Sequence, residues 1–252
     1  MKDKFNKSAK TRRSFNKSSS VKGHYYVDSV SAINEYLQFR PEVVINIFAA
    51  EKDLNGMRDE VSKQGLSSDI VQPLEKSQYS STGAVVKLKE KKWDQFIRDI
   101  DRPSNHLVVM LDHITDPRNL GAVARSCAFF GVGSIIVASN RQVLFSQASV
   151  ATAMGGFALT DLIVVSSLAS SLGLLKESGY QVWGADQNGS CVHEQSFDSE
   201  RKVLVLGSEH SGLSKSVQEQ CDHLVKVSGS ASSLESLNVS VAAGILLHSF
   251  MK

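Results

Sequence analysis

The sequence predicts an α/β fold, a parallel sheet covered by helices on both faces, preceded by a smaller α/β unit. Three observations carry that expectation. From residue 107 onward six short runs are apolar at almost every position, helical segments fit between most of them, and Pro103-Ser104-Asn105 separates this regular stretch from a less regular one. Strands apolar on both faces that alternate with helices form a parallel sheet buried between two helical layers.

The elements follow in order. Residues 1–23 carry eight Lys or Arg against Asp3 alone, a charge of +7, which leaves −5 on the rest of a chain that totals +2. This Ser- and Asn-rich tail has no hydrophobic periodicity and is expected to be disordered. Three roles stay open for it: a solubilising leader, a nucleic-acid arm, or a mitochondrial transit peptide. Over 24–88, residues 30–37 and 54–63 have helical patterns, and 43–48, 70–71 and 84–88 read as strands. Residues 89–105 form a charged linker in which Trp93, Phe96 and Ile97 suit a short docking helix. The larger unit, 106–252, has strands expected at 107–111, 134–137, 162–165, 181–185, 203–206 and 224–227. Its helices are expected near 119–130, 147–154, 167–178, 214–220 and 238–250.

Composition narrows the function classes. A hydrophobic fraction of 42% with 21% charged residues is ordinary for a soluble globular protein. No apolar run reaches the length of a membrane span, and the N-terminus lacks the apolar core of a secretory signal. Cys127, Cys191 and Cys221 are far apart without a C-x-x-C, and the histidines do not cluster at ligand spacing. That argues against a metal site and for a reducing compartment, so a cytoplasmic location is expected, with the mitochondrial matrix as the alternative if the tail is a transit peptide.

In parallel sheets the ligand sits beyond the carboxyl ends of the strands, which directs attention to three loops. The first is LDHITDPRNLGAVARSCAFFG. Asp116-Pro117 marks a turn, Asn119 is expected to cap the following helix, and Leu120, Val123, Ala124, Cys127 and Phe130 make its apolar stripe. Arg125 points the other way, among Gly121, Ala122, Ala128 and Phe129. It is either an ordinary surface charge or a lone guanidinium facing a cleft.

The second loop, VLVLGSEHSGLSK, imitates a phosphate loop and departs from it in two places: Leu213 stands where the lysine would be, and Glu209 puts a negative charge in the cradle. Gly207 and Gly212 allow close backbone approach, which suits a ligand without phosphates or a plain glycine turn. The third, VSGSASSLESLNVSVAAG, ends at Ser236-Leu237-Asn238 where the last helix begins, and small residues line that helix's first turns.

Together the loops resemble the SPOUT superfamily, and within it the TrmH (SpoU) family of RNA ribose 2′-O-methyltransferases. Asp116-Pro117-x-Asn119-Leu120-Gly121-x-x-x-Arg125 is similar to that family's first motif, Leu206-Gly207-Ser208-Glu209-x-x-Gly212-Leu213 to the second, and Ser236-Leu237-Asn238-Val239-Ser240-x-Ala242 to the third. Residues 24–88 resemble the L30-type substrate-binding domain of the ribosomal-RNA members. They depart from it where Val27-Asp28-Ser29 replaces a G-x-H and Ser81-Thr82-Gly83 an H-x-G, which leaves the RNA target open.

The resemblance implies a C-terminal trefoil knot, an exception to unknotted connectivity, closed by the last helix. It implies S-adenosyl-L-methionine held by Gly207, Val227 and Leu237. Catalysis then falls to Arg125, with Asn119, Glu209, Ser236 and Asn238 holding the ribose, the arginine and the loops. It implies a homodimer and an RNA partner, ribosomal RNA ahead of transfer RNA, with no membrane and no metal. Arg125 is either the base or an orienting group, since guanidinium hardly deprotonates. The rival expectation is a non-catalytic RNA-binding or ribosome-assembly factor on the same fold, against which the intact set of five catalytic candidates stands.

Overall fold

The computed structural model describes residues 21–103, 106–140, 144–209, 211–230 and 236–251. All but the last three residues of the basic tail, and residues 231–235 of the third loop, lie outside them.

A four-stranded sheet is built from β1 (His24–Val27), β2 (Val44–Ala49), β3 (Val71–Pro73) and β4 (Gly83–Lys87), in the order β1-β4-β2-β3. Helices α1 (Val30–Phe39) and α2 (Glu51–Lys63) accompany it. Ser29 starts α1 by accepting a hydrogen bond from the Ala32 amide, and Ala32, Ile33, Tyr36 and Leu37 bury its apolar stripe. Strand β1 is not foreseen by the sequence pattern. Its run HYYV is too short for a period to register, and the antiparallel pairing with β4 decides it.

The larger sheet has seven parallel strands. These are β5 (Lys91–Lys92), β6 (Leu107–Leu111), β7 (Ser134–Ala138), β8 (Asp161–Val165), β9 (Gln181–Cys191), β10 (Lys202–Leu206) and β11 (His223–Lys226). Their order is β11-β9-β10-β6-β7-β8-β5. Alternation decides which face each side chain enters. Leu107, Val109 and Leu111 of β6 join one core with Leu120, Val123, Leu246 and Leu247, whereas Val108 and Met110 join the other with Phe96, Leu172 and Leu175. The helices are α3 (Trp93–Arg98), α4 (Pro117–Phe129), α5 (Gln147–Ala153), α6 (Leu168–Glu177), α7 (Lys215–Gln218) and α8 (Val239–Phe250).

Residues 89–105 are more than a connector. Lys91 and Lys92 pair with Ile163 and Val164 as an edge strand, and Phe96 of α3 is fully buried against the sheet. Lys91 bridges Asp99 (2.7 Å) and Asp161 (2.8 Å), and Arg40 of the small unit also pairs with Asp161. Gln147 completes the docking: its side chain accepts from the Tyr26 amide (2.9 Å) and donates to the Tyr26 carbonyl (2.6 Å).

One further difference concerns a cap. Asn119 does not start α4; Asp116 does, accepting from the Arg118 amide at 2.8 Å, with Pro117 in the first turn. Proline has no amide hydrogen to satisfy and its fixed φ suits the first helical position, so the helix begins two residues earlier than expected. Asn119 is thereby released for another task. The Arg118 side chain pairs with Asp116 and holds that carboxyl below the usual carboxylate range.

Candidate active site

Strands β6, β7 and β8 run outward in one direction, and the chain then crosses to place β10 on the other side of β6. The crevice at such a reversal, beyond the strand ends, is where α/β sheets bind ligands. Here the first loop leaves β6 and the second leaves β10.

Asp112, nearly fully buried, ties these two loops together. Its amide donates to the Leu206 carbonyl (2.8 Å), and its carboxylate accepts from the Ser214 amide (2.7 Å) and pairs with His113 Nδ1 (2.7 Å). His113 holds a left-handed backbone, φ 59°, unusual for a residue with a side chain. The second loop closes on itself: Ser208 and Gly212 exchange amide–carbonyl bonds of 3.1 and 3.0 Å, and Gly212 sits at φ 64°. Gly207 stands so close beneath that a Cβ would lie 2.2 Å from the Gly212 carbonyl carbon.

The three loops meet at one carboxylate. Glu209 Oε1 accepts from Asn119 Nδ2 (3.1 Å) and from Asn238 Nδ2 (2.6 Å), and the Asn238 amide also reaches Asn119 Oδ1 at 3.1 Å. Asn238 caps α8 at the same time, its Oδ1 accepting from the amide (2.9 Å) and hydroxyl (2.6 Å) of Ser240. A carboxylate acceptor puts the two bonds to Glu209 in the stronger class of hydrogen bond. One residue from each loop is thus locked to the other two.

Beside this lock lies a cavity of about 450 Å³, whose wall includes Gly207, Glu209, Val227, Ser236 and Leu237. Its size is in the range of small-ligand sites. Leu237 is 45% exposed, at the mouth rather than in a sealed apolar recess. Asn119, Asn238 and Arg125 are not part of the wall.

Arg125 lies about 9 Å further along α4 than Asn119. Of the small residues around it, Gly121 faces no open cleft: a Cβ there would lie 2.4 Å from the Ser149 carbonyl oxygen of α5. Gly156 also packs on the backbone of Ala124 and Arg125, where a Cβ would lie 2.9 Å from each. The helix is therefore clamped from behind, and the Arg125 side chain is exposed, with no hydrogen bond or ion pair to a described residue. The neighbouring Phe129 is 82% exposed. Burial pushes the Cys127 thiol up, far from a thiolate at neutral pH, and raises Cys221 to about 11, so neither is a nucleophile here.

Sequence reasoning passes over two groups. Asp112 was legible only as a polar end to an apolar strand. Asp186, Gln187, Asn188 and Lys226 line the cavity from β9 and β11. The rule that ligands sit beyond strand ends applies equally to the strand expected to stop at residue 185, where Asp186-Gln187-Asn188 follows.

A parallel α/β domain with one pocket at its topological switch point, cradled by glycines and lacking a phosphate-binding lysine, defines a class of small-ligand-binding α/β proteins. The chain belongs to the SpoU rRNA methylase family, whose model matches residues 106–248. It is 30% identical to the 23S rRNA (guanosine-2′-O-)-methyltransferase RlmB of Acinetobacter baylyi, over 90% of this chain and 96% of that one. An uncharacterized tRNA/rRNA methyltransferase of Mycolicibacterium vanbaalenii is 39% identical over 141 residues, 56% of this chain and 45% of the relative, so the match spans under half of that protein. Among solved structures, the SpoU methyltransferase AviRb of Streptomyces viridochromogenes, in complex with the cofactor AdoMet, superposes with a TM-score of 0.74 at 22% identity, covering 91% of this chain and 90% of that one. A putative RNA methyltransferase of the TrmH family from Porphyromonas gingivalis gives 0.69 at 23% identity, with coverage of 90% and 89%. At those identities the structures establish the fold.

Proposed function

We propose that this protein transfers a methyl group from S-adenosyl-L-methionine to a ribose 2′-hydroxyl in RNA, ribosomal RNA ahead of transfer RNA. The observation that carries the reading is the lock of Asn119, Glu209 and Asn238 beside a glycine-cradled cavity that no phosphate machinery serves. The full-length similarity to a 23S rRNA enzyme favours ribosomal RNA.

The pocket fits the cofactor on its own chemistry. Gly207 is bare backbone in the wall, where a side chain would clash with the backbone of Gly212 and Leu213, and the second loop offers Glu209 and Leu213 where a phosphate loop would offer a lysine. In this reading Gly207, Val227 and Leu237 hold the cofactor, which when bound supplies an activated methyl carbon. The protein's task is then to align the ribose oxygen with that carbon and assist loss of its proton. Arg125, unpaired among the described residues and rigidly backed, orients the ribose or its phosphate; the lock and Ser236 keep the loops that surround the two ligands in register.

The finer architecture belongs to the same reading. Residues 24–88 act as an L30-like RNA-binding unit, 89–105 join it to the catalytic unit 106–252, and α8 closes a trefoil knot. Three cysteines without a disulfide accord with a cytoplasmic location. Homodimerisation belongs to the same reading. Ala243 is buried and Gly244 faces Ser126 of α4, so these small residues serve packing within the chain, while Phe129 of α4 and Val241 of α8 remain exposed. Light scattering at micromolar concentration is expected to give twice the mass of the chain, and a fully active monomer would overturn this.

The central test is direct. Purified protein with methyl-labelled cofactor should label ribosomal RNA at 2′-hydroxyls and leave DNA of the same sequence unlabelled, because only RNA carries that group. Equal labelling of both, or methylation of a base, would refute the assignment. Binding of RNA and cofactor without any transfer would support the non-catalytic rival.

A further inference from the structure

Residues 185–189 leave the ladder between β9 and β11: Leu224 pairs with Gly184, and the next residue, Val225, pairs with Ser190. Five unpaired residues within a strand far exceed an ordinary bulge of one, and the chain is built to hold them. Gly189 returns the excursion to the sheet so closely that a Cβ would lie 2.5 Å from the Leu224 carbonyl carbon and the Val225 nitrogen. Near its start, Asp186 Oδ1 accepts from the Asn188 amide at 2.8 Å and closes a local turn. The excursion thereby delivers Ala185, Asp186, Gln187 and Asn188 to the cavity wall.

Three charged residues line that wall: Asp186, Glu209 and Lys226. Glu209 is committed to the amides of Asn119 and Asn238. Asp186 forms no ion pair with a described residue, and its one recorded partner is a neutral backbone amide. Set against the single Lys226, the two carboxylates leave the wall with a net negative charge, which suits a cationic ligand.

We propose that Asp186 is the charge selector of this pocket, favouring the sulfonium form of the cofactor over its thioether product. The proposal rests on the cofactor reading above. In the transfer, the sulfur–methyl bond breaks with its electron pair kept by sulfur, an oxygen–methyl bond forms, and the hydroxyl proton passes to solvent water. The ligand in the pocket thereby falls from net +1 to neutral. A carboxylate in the wall attracts the first more strongly than the second, so it favours loading and speeds release of the product. In a half-open pocket one such charge is worth about tenfold in relative affinity.

The test is a calorimetric titration of the full chain with S-adenosyl-methionine, with S-adenosyl-homocysteine, and with an analogue bearing an ammonium carbon in place of the sulfonium. For Asp186→Asn both cationic ligands should lose about tenfold, while the neutral product changes by less than about twofold. Asp186→Glu, which restores the charge, should restore most of the ratio. Equal losses for charged and neutral ligands, or no loss, overturn the selector and leave the cofactor reading standing. Failure of the unmodified protein to bind any of the three overturns both.

Discussion

Arg125→Ala is expected to lower the rate of methyl transfer by about 10³-fold or more, the range seen when a group acting directly on the reacting centre is removed. Cofactor affinity should change by less than about twofold. The division follows from placement. Arg125 is absent from the cavity wall, exposed, and without a described partner, yet it sits on the helix whose first turn supplies Asn119 to the lock. Its removal leaves no buried group unsatisfied, so the fold should persist and the thermal midpoint should hardly move. Arg125→Lys sharpens the result: a lysine keeps the charge and loses the planar fork, so substantial retention of rate would point to simple charge and its loss to bidentate positioning. Calorimetry with cofactor alone, beside single-turnover labelling of RNA, separates binding from chemistry. Loss of cofactor affinity in step with rate would move Arg125 into the pocket and undo the assignment.

Much of this site was legible in the sequence because the parallel sheet writes itself in runs such as 107–111 and 203–206, apolar at every position. Once those strands are placed, the loops after Leu111, Leu206 and Val227 fall at one edge, and the structure joins Asn119, Glu209 and Asn238 there. What stayed hidden depended on partners distant in the chain. The edge strand at Lys91 and Lys92 is charged and has no strand signature; it exists because β8 offers a free ladder. Asn119 and Asp116 both suit a helix cap locally, and Pro117 decides between them. The excursion at 185–189 is set by where Val225 pairs, a register that no local pattern records. The crowding of Gly207 is of the same kind: a glycine is visible, but the neighbour five residues on that forbids a side chain is not.

That crowding yields the other large effect. Gly207→Ala is expected to cost about 50-fold or more in cofactor affinity and to destabilise the fold by about 1–3 kcal/mol, the usual range for overpacking. A methyl group at 207 would lie 2.2, 2.4 and 2.5 Å from the carbonyl carbon and oxygen of Gly212 and the amide nitrogen of Leu213. All three are backbone atoms, so no side chain can swing aside. The loop must open, and its closure by the paired bonds between Ser208 and Gly212 would be strained or lost. Glu209 lies inside that closed loop, so its contacts with Asn119 and Asn238 would shift with it, and transfer should fall along with binding. Gly173 is the matching control: it lies within α6, a Cβ there meets nothing within 4 Å, and Gly173→Ala should leave binding intact while stabilising the helix by about 0.5–1 kcal/mol. Thermal melts and cofactor titrations of both variants decide the matter. If Gly207→Ala binds cofactor within about twofold of the unmodified protein, the glycine loop does not cradle the ligand, and the pocket must be sought elsewhere on the sheet.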